Sequence, residues 1–145
     1  MKKILLIHGP NLNRLGRRDH THYGTLTLST IEANVTDEAQ KLGYEVVCFQ
    51  SNHEGALIDF LQSKGDDAVG VIINPGAFTH YSYALHDALK DTQLPCIEVH
   101  LSDIKSREKW RQHSVTAPAC IAQISGKKEL GYIEAVQTLH AKLLK

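Results

Sequence analysis

Residues 68–76 read Ala-Val-Gly-Val-Ile-Ile-Asn-Pro-Gly, an apolar run rich in β-branched side chains that is stopped by an amide and a Pro-Gly turn. β-branched residues suit a pleated surface, and an apolar run bounded by turn residues marks a strand buried on both faces. The same form recurs in both directions. Lys3–His8 (KILLIH) runs into Gly9-Pro10, Glu45–Gln50 (EVVCFQ) forms a second strand, Pro95 opens Cys96–His100 (CIEVH), and Cys120–Ile124 supplies a fifth. Helical patterns lie between them. Leu28, Ile31, Val35, Ala39 and Leu42 recur at helical spacing, with Ser29 and Glu32 as a capping box and Gly43 as a stop. Leu57, Ile58, Phe60 and Leu61 mark a helix that Gly65 ends; Tyr83–Lys90 reads as another, and Arg107–His113 as a short one. The last helix is Tyr132–Leu144, with Ile133, Val136, Leu139, Leu143 and Leu144 on its apolar side.

Strands that are apolar throughout and alternate with helices imply a parallel sheet covered on both faces. With right-handed crossovers this is an α/β three-layer sandwich, and for five strands the flavodoxin-like order 2-1-3-4-5 is expected. The 42% of hydrophobic residues in 145 supplies one core, so 1–145 reads as a single domain. Lys plus Arg and Asp plus Glu are balanced at 16 each, which gives no footprint for nucleic acid or an anionic membrane. The apolar run after Met1-Lys2-Lys3 is too short for a secretory signal, and no run is long enough to span a bilayer. Cys48, Cys96 and Cys120 are scattered within apolar runs, which predicts buried free thiols and a reduced, cytoplasmic setting.

In a sheet of this order, ligands bind beyond the carboxyl ends of the strands near the switch point between strands 1 and 3. Strand 1 ends in His8-Gly9-Pro10-Asn11-Leu12-Asn13, strand 3 in Asn74-Pro75-Gly76-Ala77-Phe78-Thr79-His80, and strand 4 in Glu98-Val99-His100-Leu101-Ser102. These tails should converge on one cleft. Glu98 and His100 lie two apart on a strand and so share a face. A carboxylate beside an imidazole fixes its tautomer and favours its charged form, which suits a general acid. Gly9–Leu26 is a long polar loop, a candidate lid, and carries Arg17, Arg18 and Tyr23. Tyrosine is a poor base at neutral pH unless a guanidinium favours the tyrosinate, so Arg plus Tyr in a lid reads as a base with its activator. Backbone N–H groups at Leu101 and Ser102 offer an anion site, and Arg111 follows within reach.

His20-Thr21-His22 and His80 with His86 lack the partners and spacing of a zinc pattern, so no metal is expected. A flavin-binding module of the same fold would need a hydroxyl-rich phosphate loop after strand 1, where Gly9-Pro10-Asn11-Leu12-Asn13 has no Ser or Thr. A phosphoreceiver would need acids where Asn11 and Asn74 stand. A non-catalytic binding protein remains the other alternative, against which intact Tyr23 and His100 argue.

The three strand tails, Tyr23-Gly24 and the stretch Arg107-Glu108-Lys109-Trp110-Arg111-Gln112-His113-Ser114 together resemble the signature segments of type II 3-dehydroquinate dehydratases, in the right order over nearly the whole chain. The resemblance implies a flavodoxin-like hydro-lyase of the shikimate pathway, acting in aromatic amino acid biosynthesis. It would convert 3-dehydroquinate to 3-dehydroshikimate and water with no metal, nucleotide or Schiff-base lysine. By matching position, Tyr23 would be the base, Arg18 its activator, Asn11 the holder of a water against the enolate, and His100 the acid oriented by Glu98. Asn74 with the Leu101 and Ser102 backbone would hold the substrate carboxylate, and His80, Asp87 and Arg111 its hydroxyls. The family also implies trimers assembled into a dodecamer, with Asp87 reaching a neighbour's site. Tyr81, Tyr83 and Leu85 read equally well as interface or core. Family members usually carry a proline between the arginine and the tyrosine; Asp19-His20-Thr21-His22 lacks one, which predicts a more flexible unliganded loop.

Overall fold

The computed structural model describes residues 1–145. Strands β1 (Lys2–His8), β2 (Tyr44–Gln50), β3 (Ala68–Asn74), β4 (Cys96–His100) and β5 (Ala122–Ser125) form one five-stranded sheet in the order β2-β1-β3-β4-β5, every pair parallel. Helices α1 (His20–Tyr23), α2 (Leu28–Lys41), α3 (Glu54–Lys64), α4 (Tyr83–Asp91) and α5 (Leu130–Leu143) complete the alternation. The expected three-layer α/β sandwich is therefore present.

Alternation along β1 assigns the layers. Ile4 and Leu6 enter an apolar cluster with Ile31 and Val35 of α2 and Val136 and Leu139 of α5. Leu5 and Ile7 enter a second cluster with Leu57 and Leu61 of α3 and Leu85 and Leu89 of α4. All four β1 side chains are fully buried or nearly so. Burial of such a side chain contributes roughly 1.5–3 kcal/mol, so the central strand, covered on both faces, anchors the molecule. Gly70 of β3 is part of the same fit. A Cβ there would come within 2.8–3.1 Å of the Leu139 side chain, so α5 lies directly on the strand.

Several element boundaries differ from the sequence reading. Thr27, not Ser29, caps α2, its hydroxyl accepting from the Thr30 N–H at 3.3 Å. Ser29 and Glu32 therefore lie inside the helix, and Glu32 turns inward to meet His8 Nε2 at 3.1 Å. β5 begins at Ala122, where pairing with Ile97 starts; Ala117–Ala119 form a 3-10 turn that Cys120 closes. α5 starts two residues earlier than expected, and Leu144 is 72% exposed, beyond the helix end rather than on its apolar side. The segment 9–26 is not one open loop. It holds a 3-10 turn at Leu12–Arg14, with Leu12 and Leu15 buried in the core, and then α1. The segment predicted to be helical at 107–113 is a 3-10 turn over Lys109–Gln112. No helix is long and apolar enough to cross a membrane.

Candidate active site

Two interlocked turns build the floor of the cleft. Gly9 and Gly76 follow β1 and β3, and the Gly9 N–H donates to the Asn74 carbonyl at 2.8 Å. A Cβ on Gly9 would lie 2.2 Å from the Pro75 carbonyl oxygen, and Gly76 has φ +61°, so neither turn accommodates another residue without a shift. Asn11 follows at φ 69°, a conformation that asparagine tolerates better than most residues. Its N–H donates to Asn52 Oδ1 at 2.9 Å, and Gln50 Nε2 donates to the Gly9 carbonyl at 3.1 Å, so the tail of β2 braces the tail of β1.

The tails of β1, β3 and β4 converge as expected, on one cleft. Asn11, Arg18, Tyr23, Asn74, His80, His100, Leu101, Ser102 and Arg111 all line it, joined by Arg107. Glu98 lies behind His100 instead of in the cleft wall. Asp87 does not line the cleft; it is exposed on α4. Arg17 is exposed and Arg18 takes the inner place, its guanidinium carbon 3.7 Å from the centre of the Tyr23 ring.

Glu98 is fully buried and surrounded by donors. His100 Nε2 donates to its Oε2 at 2.8 Å, as do Gln123 Nε2 at 2.8 Å, Ser114 Oγ at 2.9 Å and Thr79 Oγ1 at 3.0 Å. Thr116 donates to Oε1. Burial alone would push this carboxyl up. The hydrogen bond and charge of His100, with the bonds from Thr116 and Gln123, outweigh it and hold the pKa at about 2. An ionised carboxylate only accepts, so the bonded Nε2 carries a hydrogen and Nδ1 is the nitrogen left for a proton to be lost or gained. Burial and the positive charges of His100 and Arg111 lower the pKa of His80, against the opposing bond of its Nδ1 to the His113 carbonyl at 2.7 Å. That carbonyl can only accept, so Nδ1 is the protonated nitrogen of His80 and Nε2 its acceptor.

On the other wall, Arg107 Nη1 donates to the Tyr23 hydroxyl at 2.8 Å and to Ser102 Oγ at 3.3 Å. Burial lowers the pKa of Arg18, the Tyr23 oxygen opposes this, and the like charges of Arg107 and Arg111 add to it; a guanidinium stays charged regardless. Tyr23 thus lies between two guanidinium groups. Its backbone is held by α1, where the Asp19 side chain accepts from the Thr21 N–H at 2.9 Å and Lys128 Nζ donates to the Thr21 carbonyl at 2.6 Å. The Asp19 cap supplies an N-terminal constraint in the stretch where the resemblance leads one to look for a proline.

In the sequence Arg107 figures only as the start of a short predicted helix and of one resembling segment, with no role of its own. Its distance from Tyr23 in the chain, with no periodic pattern around it, left no signal beyond a basic residue following the strand 4 tail. Thr79, Ser114, Thr116 and Gln123 were missed because each looks like an ordinary polar residue until the fold turns it toward Glu98.

A profile of the dehydroquinase class II family matches residues 2–140 of the chain. The chain belongs to this family. A 3-dehydroquinate dehydratase of Bacillus mycoides is 54% identical over 143 residues, which cover 99% of this chain and 98% of that protein. Among solved structures, the type II dehydroquinase of Butyrivibrio crossotus is 45% identical with a TM-score of 0.92, covering 95% of this chain and 97% of the other. A 3-dehydroquinate dehydratase-like protein from Bifidobacterium longum is more distant, at 28% identity and a TM-score of 0.73 over the full length of both chains. As a dehydroquinase of class II, the chain is a hydro-lyase, and its cleft lies at the switch point of the family's α/β sheet.

Proposed function

We propose that the chain removes water from 3-dehydroquinate to give 3-dehydroshikimate through an enolate, with Tyr23 as base and His100 as acid. The observation that carries this is the division of the cleft into two walls. One holds Tyr23 with Arg18 over its ring and Arg107 donating to its hydroxyl; the other holds His100 on an ionised, buried Glu98. An elimination needs a base at one carbon and an acid at the next, on separate supports.

In this reading the Tyr23 phenolate takes the proton beside the ketone, and the C–H electron pair moves into an enolate. The guanidinium groups of Arg18 and Arg107 stabilise the negative charge as it passes from phenolate to enolate, and Asn11 holds a water against the enolate oxygen. The enolate then re-forms the ketone and expels the hydroxyl on the carbon beyond. His100 protonates that oxygen through Nδ1, so it leaves as water. The proton on Tyr23 restores the His100 imidazolium through solvent, which closes the balance. Asn74 and the backbone at Leu101 and Ser102 hold the substrate carboxylate, and His80 Nε2 and Arg111 meet its hydroxyls. Asp87 acts on a neighbour's cleft in a homo-oligomer of trimers.

The test separates the two steps. In deuterated solvent, His100→Ala is expected to exchange the hydrogen beside the ketone while dehydration falls by roughly 10²–10⁴-fold. Tyr23→Phe is expected to lose both. Loss of exchange in His100→Ala equal to its loss of dehydration would overturn the assignment of base and acid.

A further inference from the structure

Beneath the cleft, Tyr132 of α5 is fully buried in the apolar cluster on the α2 and α5 side of the sheet. Phenylalanine would fill that space without bringing a hydroxyl into an apolar core, where an unpaired polar group is costly. The hydroxyl has one partner, the Asn74 Nδ2, which donates to it at 3.1 Å. Asn74 Oδ1 accepts the Gly76 N–H at 3.0 Å. A backbone N–H can only donate, so the carboxamide orientation is settled independently: oxygen toward Gly76, nitrogen toward Tyr132. Asn74 itself lines the cleft and is 3% exposed. One of its two N–H groups is taken by Tyr132, and the other is left for whatever the cleft holds.

We propose that Tyr132 is a positioning residue for substrate binding, its hydroxyl oxygen fixing the Asn74 carboxamide so that the second N–H meets the substrate carboxylate. The proposal rests on the dehydratase reading given above. Its setting is built to keep the hydroxyl in register. A Cβ on the preceding Gly131 would lie 3.3 Å from Ile124 and 3.4 Å from Val99, so α5 enters close against β4 and β5 and brings Tyr132 under the end of β3. The His8 ring packs 6.3 Å away, tilted by 54°. Burial pushes the Tyr132 phenol up to about 12, against the bond from Asn74, so the hydroxyl stays neutral and serves as a fixed acceptor. Asn74 would act on the carboxylate, whose charge is the same in the bound substrate and in the enolate. An interaction made equally in ground and transition states appears in KM and not in kcat.

The experiment is a double-mutant cycle of Tyr132→Phe and Asn74→Ala, assayed for turnover of 3-dehydroquinate beside the wild type. Tyr132→Phe is expected to raise KM about three- to tenfold, the size of one net hydrogen bond, with kcat changed less than about twofold. In Asn74→Ala the further change to Phe is expected to have no effect on KM. An unchanged KM in Tyr132→Phe, or independent effects in the cycle, overturns the positioning role alone. A wild type without turnover overturns the dehydratase reading, and this one with it. Should Tyr132→Phe fail to fold, side-chain amide hydrogen exchange in the wild type decides. The Asn74 Nδ2 hydrogens are expected to exchange at least about tenfold more slowly than those of exposed Asn34. Equal rates overturn the proposal.

Discussion

Glu98→Gln changes one atom of a side chain that has no contact with solvent, and its effect on stability follows from the surroundings of that carboxyl. The wild-type group is held at about 2 against an ordinary value of 4.5; two and a half pH units at about 1.4 kcal/mol each come to roughly 3–4 kcal/mol of folding stability. The sign follows from linkage. A carboxyl whose folded pKa is depressed contributes in full above its unfolded value. The contribution is therefore present above about pH 4.5 and is lost as the pH falls toward 2. The glutamine of the variant cannot titrate, and its amide nitrogen cannot accept from the surrounding donors, so the variant lacks the contribution at every pH. Urea unfolding of both proteins between pH 7 and pH 2.5 measures the difference. The wild type is expected to be more stable by roughly 3–4 kcal/mol at pH 7, with the gap closing by most of that amount at the acid end. Two curves that stay parallel across this range would show that the donor shell, led by His100, does not hold Glu98 ionised.

Other consequences are tested more simply. Arg107→Met removes the donor to the Tyr23 hydroxyl and is expected to lower kcat by roughly 10²-fold with folding intact, read from steady-state kinetics and circular dichroism. Gly9→Ala drives a methyl group into the Pro75 carbonyl and is expected to lower stability by about 3 kcal/mol in urea unfolding. Burial raises the thiol pKa of Cys96 to about 11 and of Cys48 to about 12, and raises that of Cys120 as well. The native protein should therefore react slowly with iodoacetamide at pH 7 and the unfolded protein with all three thiols, as mass spectrometry would count.

Much of this architecture was legible in the chain because burial on both faces leaves a plain pattern. Ala68–Ile73 and Cys96–His100 could hardly be read otherwise, and once the strand order is known the polar tails of three strands must meet. The two-residue spacing of Glu98 and His100 carried their hydrogen bond in advance. Boundaries were harder, because competing caps lie a few residues apart. Ser29 and Glu32 form a sound capping pattern, but Thr27 starts the helix earlier and the inward pull of His8 claims Glu32. Contacts made across long sequence separations were not legible at all. Arg107 meets Tyr23 across 84 positions and Tyr132 meets Asn74 across 58, and nothing local to either residue announces its partner.

Dehydration with Tyr23 as base is tested at once by the ultraviolet absorbance of the conjugated enone product when purified protein meets 3-dehydroquinate, with Tyr23→Phe as control. The wild type is expected to give a steady rise and the control a rate lower by several orders of magnitude. A flat trace from folded wild-type protein would rule out the dehydration, and a control as fast as the wild type would rule out Tyr23 as its base.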